Sequence, residues 1–320
     1  MNPPFRAAHG PGEPPALCPS RPDDTVHTVA EQALAPTEPP MVSILCLTYH
    51  HEAFVAQALE GFLAQETTFP FEVVLADDAS GDGTLAVVEG FRARFGARLR
   101  VLTTPVNLGV TRNFRRALQA CRGRYVAFCE GDDYWNGHDK LQAQVDFLEH
   151  NPGFVMCFHD AMVIDSFGHE QGIQLTGRLR RDASASELMA TRPISTLTVC
   201  FRHVLKDVPA ELDHAPALDL CLWSLLGQHG GGKYMGSIQP ASYRVHGGGV
   251  FSTQTTRNKC LMSAQSLLCL ARIWARQGRA DLSDMLLLKA AIMACSRLGT
   301  AAFGWPSVAM LAQMLMRLWR

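Results

Sequence analysis

Two short acidic runs carry the first chemical signal in the sequence. Asp77 and Asp78 follow FEVVLA, and Glu130, Asp132 and Asp133 follow YVAFC in the string EGDDYW. Carboxylates this close repel one another and resist leaving water. A divalent cation, ligand hydroxyls or a base N–H can satisfy them, and oxygen donors suit Mg2+ or Mn2+. Either run alone reads equally well as a polar turn, where Asp is common. Two such runs, each closing an apolar strand, favour a site that holds a diphosphate through a cation. Further along, Arg244 and His246 stand two apart in YRVHGGG, on one side of an extended chain. A neutral imidazole ligates divalent cations, and a guanidinium pairs with phosphate oxygens. The three glycines beyond them make a loop able to fold over a ligand. Asp219 opens the apolar run LCLWSLL. A carboxylate there is either a general base or a helix cap. Asp213, Asp207 and His214 compete for the role of base.

Strands and helices must alternate to bring these groups together. Residues 41–47, 71–76, 99–103, 125–129 and 154–158 are short apolar runs of buried-strand type. Between them, residues 54–62, 84–95, 113–121 and 140–150 place apolar side chains at helical spacing. Near-continuous apolar strands between amphipathic helices predict a mostly parallel α/β sheet covered on both faces. Ligands of such sheets bind outside the carboxyl ends of the strands, where Thr48–Glu52, Asp77–Asp78 and Glu130–Asp133 fall.

Several alternatives are disfavoured by missing motifs. There is no GxGxxG after the first strand, no GxxxxGK[ST] and no GxSxG. Ten cysteines without CxxC spacing argue neither a zinc site nor a small disulfide scaffold. Cys46, Cys129, Cys157, Cys200 and Cys221 sit among apolar neighbours and read as buried thiols.

Three ordered segments, VSILCLTYHHEAFVAQALEGFLAQ, FEVVLADDASGDGT and NLGVTRNFRRALQACRGRYVAFCEGDDYW, resemble family 2 glycosyltransferases of the GT-A fold. The resemblance runs over about residues 42–252. It implies inverting, Mg2+- or Mn2+-dependent transfer of a sugar from a nucleoside diphosphate donor, with uracil or thymine as base. The acceptor would be a hydroxyl on a glycan or lipid-linked molecule in cell-surface polysaccharide synthesis. It implies that Thr48, Tyr49 and Glu52 line the nucleotide pocket. The pair Asp77 and Asp78 reads the base, with Asp78 preferred, and Asn107, Gly109 and Arg112 close around the nucleotide. Glu130-Gly131-Asp132 stands at the Asp-x-Asp position, with Glu130 toward the ribose and Asp132 on the metal. Glu130 departs from the usual Asp by one methylene. Arg244 and His246 approach the diphosphate and the metal. Asp133 assists metal or substrate, and Trp135 either packs under the loop or stacks on sugar. Asp219 resembles the isolated Asp that serves as base in a bacterial subgroup. His159, Asp160 and Arg192 are acceptor-side candidates. Two other readings remain: a catalytically degenerate nucleotide-sugar binding module, and a sugar-phosphate nucleotidyltransferase. The latter expects a basic glycine-rich loop where this chain has TYHHEA.

The formal charge of −1 conceals an uneven distribution. Residues 1–40 are proline-rich and acidic, and read as a disordered leader without a secretory signal pattern. Residues 41–256 form the expected catalytic domain and are net acidic. Residues 257–320 are net basic and read as a helical region, with nine basic side chains against two acidic. The uncharged stretch 298–316 approaches membrane-spanning length, but Gly304 and Pro306 interrupt it. Packing on the domain, an oligomer contact or attachment to anionic lipid are the expectations for that region. A cytoplasmic enzyme, peripheral on the inner membrane face, follows from them. The overall balance excludes a whole-chain nucleic-acid binder.

Overall fold

The computed structural model describes residues 38–175 and 177–297. The expected strands form β1 (Val42–Thr48), β2 (Phe71–Asp77), β3 (Leu99–Leu102), β4 (Tyr125–Phe128) and β5 (Phe154–Phe158). Further along are β6 (Ala161–Ile164), β7 (Glu170–Ile173), β8 (Cys200–Arg202), β9 (Gly231–Tyr234) and β10 (Ala241–Arg244). The helices are α1 (Val55–Leu63), α2 (Thr84–Gly90), α3 (Arg92–Phe95), α4 (Val110–Ala120), α5 (Lys140–His150), α6 (Ala185–Met189), α7 (Leu218–Leu226), α8 (Thr256–Arg276) and α9 (Ala280–Arg297). The single helix expected over residues 84–95 is interrupted at Phe91, just after Gly90, a poor helix former.

The main sheet has the order β3-β2-β1-β4-β8-β5-β9. β1 lies parallel to both β2 and β4, and β2 parallel to β3. β8 alone runs antiparallel to its neighbours β4 and β5. Alternation along the strands divides two cores. Leu45, Leu47, Val74 and Ala76 face the layer of α4, α7, α8 and α9. Val42, Ile44, Cys46, Val73 and Leu75 face α1, α2, α3 and α5. Both faces being covered explains why these strands read as continuous apolar runs.

A second sheet, β10-β6-β7, stands beside the carboxyl ends of the main one. A bridge between Tyr134 and Ser242 ties its β10 to the loop after β4. That bridge delivers residues 244–246 to the acidic run at 130–133. The helical C-terminal region, through residue 297, shares the α4–α7 core: Leu267, Trp274, Leu286 and Leu287 are all buried in it. The 298–316 stretch lies outside the described residues. Among the described residues, no helix is long and apolar enough to cross a membrane.

Candidate active site

β1 ends between β2 and β4, so three strand ends open onto one crevice. The turn leaving β1 is held from across the gap. His50 N donates to Ser80 Oγ at 3.0 Å, and His51 N to Thr84 Oγ1 at 2.9 Å. Glu52 N donates to Asp82 Oδ2 at 3.2 Å, while Glu52 Oε2 accepts from Gly83 N at 2.8 Å. Tyr49 is exposed and stacks on His50. Thr48 is buried and donates to Asp77 Oδ1 at 2.9 Å.

The two acids after β2 do different work. Asp77 closes its own turn, accepting from Ser80 N at 2.9 Å. Asp78 reaches across to the loop before α4. Its Oδ1 accepts from Leu108 N at 2.8 Å and its Oδ2 from Gly109 N at 2.9 Å. Asn107 Nδ2 donates to the Asp78 carbonyl at 3.2 Å. Gly109 has φ +81, which suits glycine. Asp78 thus fixes the NLG loop. Each carboxylate oxygen has a second lone pair with which to accept a base N–H.

The run after β4 is the centre of the arrangement. Asp132 Oδ2 lies 3.0 Å from His246 Nε2 and 3.7 Å from His51 Nε2. One ligand atom from each of His51, Asp132 and His246 falls within 4.8 Å of the others, a set able to hold a metal ion. His51 Nδ1 is buried without a partner. Burial keeps the His51 imidazole below its usual range and therefore neutral, the form that binds metals. Gly131 leaves room for this: a Cβ there would lie 2.6 Å from Thr48 Cγ2 and 3.0 Å from His51 Nδ1.

The acids of this run are strained by one another. Burial, then Asp132, pushes Glu130 up to about 8, although Thr196 Oγ1 donates to it at 2.9 Å. Burial likewise drives Asp133 well up, even as Arg244 N donates to its Oδ1 at 2.8 Å. Burial raises Asp132 too, but the His246 bond together with the charges of His51 and His246 outweighs it and holds Asp132 below the usual carboxylate range. Two acids kept from ionising beside a third are what a divalent cation would reverse. The residues present therefore fit a cation held by Asp132 and His246.

Asp219 lies in the first turn of α7, half-buried. Burial pushes its carboxyl up to about 6. Its charge acts on Glu130 and on Tyr243, so it lies near the acidic run. Its competitors are paired elsewhere. Asp213 is 2.6 Å from Arg115 and also meets Arg112, and Asp207 lies 3.5 Å from Arg115.

The model for glycosyl transferase family 2 matches residues 43–207. The chain belongs to glycosyl transferase family 2. An uncharacterized protein of Mycobacterium tuberculosis is 37% identical over 223 residues, which is 68% of this chain and 63% of that relative. The chain thus matches less than two thirds of that relative's length. Among solved structures, a mannosyltransferase from Pyrobaculum calidifontis in complex with GDP-Man and Mn2+ has a TM-score of 0.56 at 18% identity. It covers 89% of this chain and 82% of its own. The Staphylococcus aureus protein TarS, in complex with UDP-GlcNAc, has a TM-score of 0.52 at 17% identity, covering 80% of this chain and 81% of its own. These neighbours share the GT-A fold with it.

Several residues expected from the family 2 pattern have their side chains engaged by the protein itself. Arg244 is buried, and each of its three guanidinium nitrogens donates within the protein. Nε bonds the Asp132 carbonyl at 3.0 Å, Nη2 bonds Gln57, and Nη1 meets the carbonyls of Asp165 and Ser166. It braces the 130–133 loop. Arg112 points to Asp213 and is exposed. Trp135 is buried, donates Nε1 to the Leu197 carbonyl at 2.8 Å, and packs on Phe62 and the Lys140 ammonium. Arg192 is spent on the carbonyls of Leu179, Arg181 and Asp182. Asp160 pairs with Arg180 at 2.7 Å and accepts from Tyr234 at 2.9 Å. His159 is buried beside it. His51, Thr196 and Gln57 are the site residues the sequence did not single out. His51 was signalled by its place in the polar turn after β1. Thr196 and Gln57 carried no local signal.

Proposed function

We propose that the chain is an inverting glycosyltransferase. It would move a sugar from a nucleoside diphosphate donor to a hydroxyl of a glycan or lipid-linked acceptor, in cell-surface polysaccharide synthesis. The observation that carries this reading is the gathering at the carboxyl ends of the strands of Asp132 with His246, the Asp78-anchored loop, and Asp219 near Glu130. The mannosyltransferase and TarS neighbours, solved in complex with GDP-Man and Mn2+ and with UDP-GlcNAc, support a donor of this class.

In this reading Asp132 and His246 hold a divalent cation, Mg2+ or Mn2+. Bound there, the cation offsets negative charge on the departing diphosphate. The Thr48–Glu52 turn and the 107–109 loop enclose the nucleotide, and the Asp78 carboxylate accepts from the base. Glu130 faces the ribose. The acceptor oxygen attacks the anomeric carbon opposite the diphosphate, Asp219 takes its proton, and the bond from anomeric carbon to diphosphate oxygen breaks. A carboxyl pushed up to about 6 suits a base working near neutrality.

The test is a panel of UDP-, dTDP- and GDP-sugars with and without Mn2+ or Mg2+, read by nucleoside diphosphate release. Metal-dependent release confined to the sugars of one base is the expected result. Binding of nucleotide without any turnover would replace this reading with a binding module. Pyrophosphate release from a nucleoside triphosphate and a sugar phosphate would make it a nucleotidyltransferase.

A further inference from the structure

We propose that His51 is a third protein ligand of the cation, and that the resulting two-imidazole, one-carboxylate set makes the site select a first-row transition ion over Mg2+. This rests on the cation reading above and extends it to a residue outside the acidic motif.

Four observations converge on His51. Its Nε2 stands 3.7 Å from Asp132 Oδ2, beyond hydrogen-bond distance, and its Nδ1 is buried with no partner. It is the Nε2 edge that faces the Asp132 carboxylate without a hydrogen bond to it, and that edge is the one a cation between the two would use. Second, the same carboxylate oxygen that receives His246 at 3.0 Å is the one His51 approaches, and the two rings meet edge-on with centroids 6.1 Å apart. Third, the turn before it is strained toward this placement. His50 has φ +56, a left-handed conformation that costs a non-glycine residue roughly 1 kcal/mol or more. That turn is tied down by Ser80, and by Thr84 Oγ1, which accepts from His51 N. Asp82 Oδ1 in turn accepts from Thr84 N at 3.1 Å, completing the brace. Fourth, Gly131 is the residue whose missing Cβ leaves the space the ring occupies.

The chemistry of the donor set then fixes the preference. Mg2+ is a hard cation that keeps its waters and binds through carboxylates. Imidazole nitrogens favour later, softer divalent ions, and two of them with one carboxylate form a face familiar for first-row transition metals. A site of Asp132 with His246 alone has one nitrogen donor; His51 adds a second.

The experiment titrates the full chain with metal alone. Free Mn2+ is followed by electron paramagnetic resonance, and Mg2+ by competition against it, for wild type, His51→Ala, His51→Gln and Asp132→Ala. Wild type should hold Mn2+ about tenfold or more tighter than Mg2+, and both His51 variants should lose most of that ratio by weakening Mn2+ selectively. Electron spin-echo modulation of bound Mn2+ should report two imidazole nitrogens in wild type and one in His51→Gln. Circular dichroism confirms that each variant is folded. Unchanged Mn2+ affinity and unchanged nitrogen coupling in folded His51→Gln would overturn the assignment. If Asp132→Ala also left Mn2+ binding intact, the cation reading itself would fall; if only Asp132→Ala abolished it, the His51 inference alone would.

Discussion

At the scale of single residues, the crevice separates carboxylates by their surroundings. Asp132 is kept ionised by two imidazoles, while Glu130 and Asp133 are pushed toward the neutral form. Asp132→Ala should therefore remove the Mn2+-dependent part of UDP affinity, and calorimetry with and without Mn2+ reads this directly. Asp219 is pushed up to about 6 by burial, with no basic side chain offsetting it. Transfer that uses it as base should fall away as pH drops through about 6. Asp219→Asn should bind donor like wild type and lose about two or more orders of magnitude in turnover, in the range expected for removing a general base. The same group makes a stability prediction of defined sign. Its folded-state pKa is raised, so the stability it contributes is present while it is protonated and is lost as pH rises through about 6. Asn cannot ionise. In thermal melts, Asp219→Asn should match wild type at pH 4 and exceed it at pH 8. A variant that melted below wild type at pH 8 would mean the carboxylate is stabilising instead.

At the scale of elements, the strand ends were legible because both faces of the sheet are buried. Continuous apolar runs marked β1, β2, β4 and β5, and the rule for parallel sheets sent attention to the acids that end them. The small sheet was not legible: β7 is wholly exposed and β6 and β10 are four residues each, too short to show a period. Arg244 shows the limit on the site. Its type and spacing implied a phosphate contact, but its partners are carbonyls at residues 132, 165 and 166, which no local pattern reveals. His51 was passed over for the same reason, because its partner is 81 residues away. A test at this scale concerns α1, which backs the loop after β4 at Gly61. A Cβ there would lie 2.9 Å from the Trp135 carbonyl oxygen and 3.1 Å from its nitrogen. Those are backbone atoms, so the loop must give way. Gly61→Ala should cost about 1–3 kcal/mol in denaturant melts and weaken metal-dependent donor binding, though Gly61 touches neither. Unaltered stability would show that the helix and loop are free to separate.

At the scale of the whole molecule, the question is why the sheet should carry a C-terminal helical hairpin. The packing gives an answer. α8 lies against α7, the helix that presents Asp219. Ser266 Oγ accepts from Ala217 N at 2.8 Å, two residues before Asp219, and Trp274 donates Nε1 to Ser224 Oγ at 3.2 Å. Trp274 is fully buried in the core that also holds Leu222, Trp223 and Leu226. The 48–52 turn and the 107–109 loop, by contrast, are bonded by Ser80, Asp82 and Asp78. On the proposed reading the hairpin bonds directly to the helix that carries Asp219, so a defect in it should act on turnover before it acts on donor binding. Trp274→Leu removes aromatic volume and the indole N–H together, and should cost about 3 kcal/mol or somewhat more in stability. Below its melting temperature it should retain donor affinity and lose turnover, because α7 is free to settle into the vacated space and carry Asp219 with it. Ser266→Ala should do the same more weakly, through the lost bond to Ala217 N alone. Donor affinity measured by calorimetry and turnover measured at saturating donor separate the outcomes. Equal losses in both would mean that the hairpin supports the fold as a whole and has no special hold on the base.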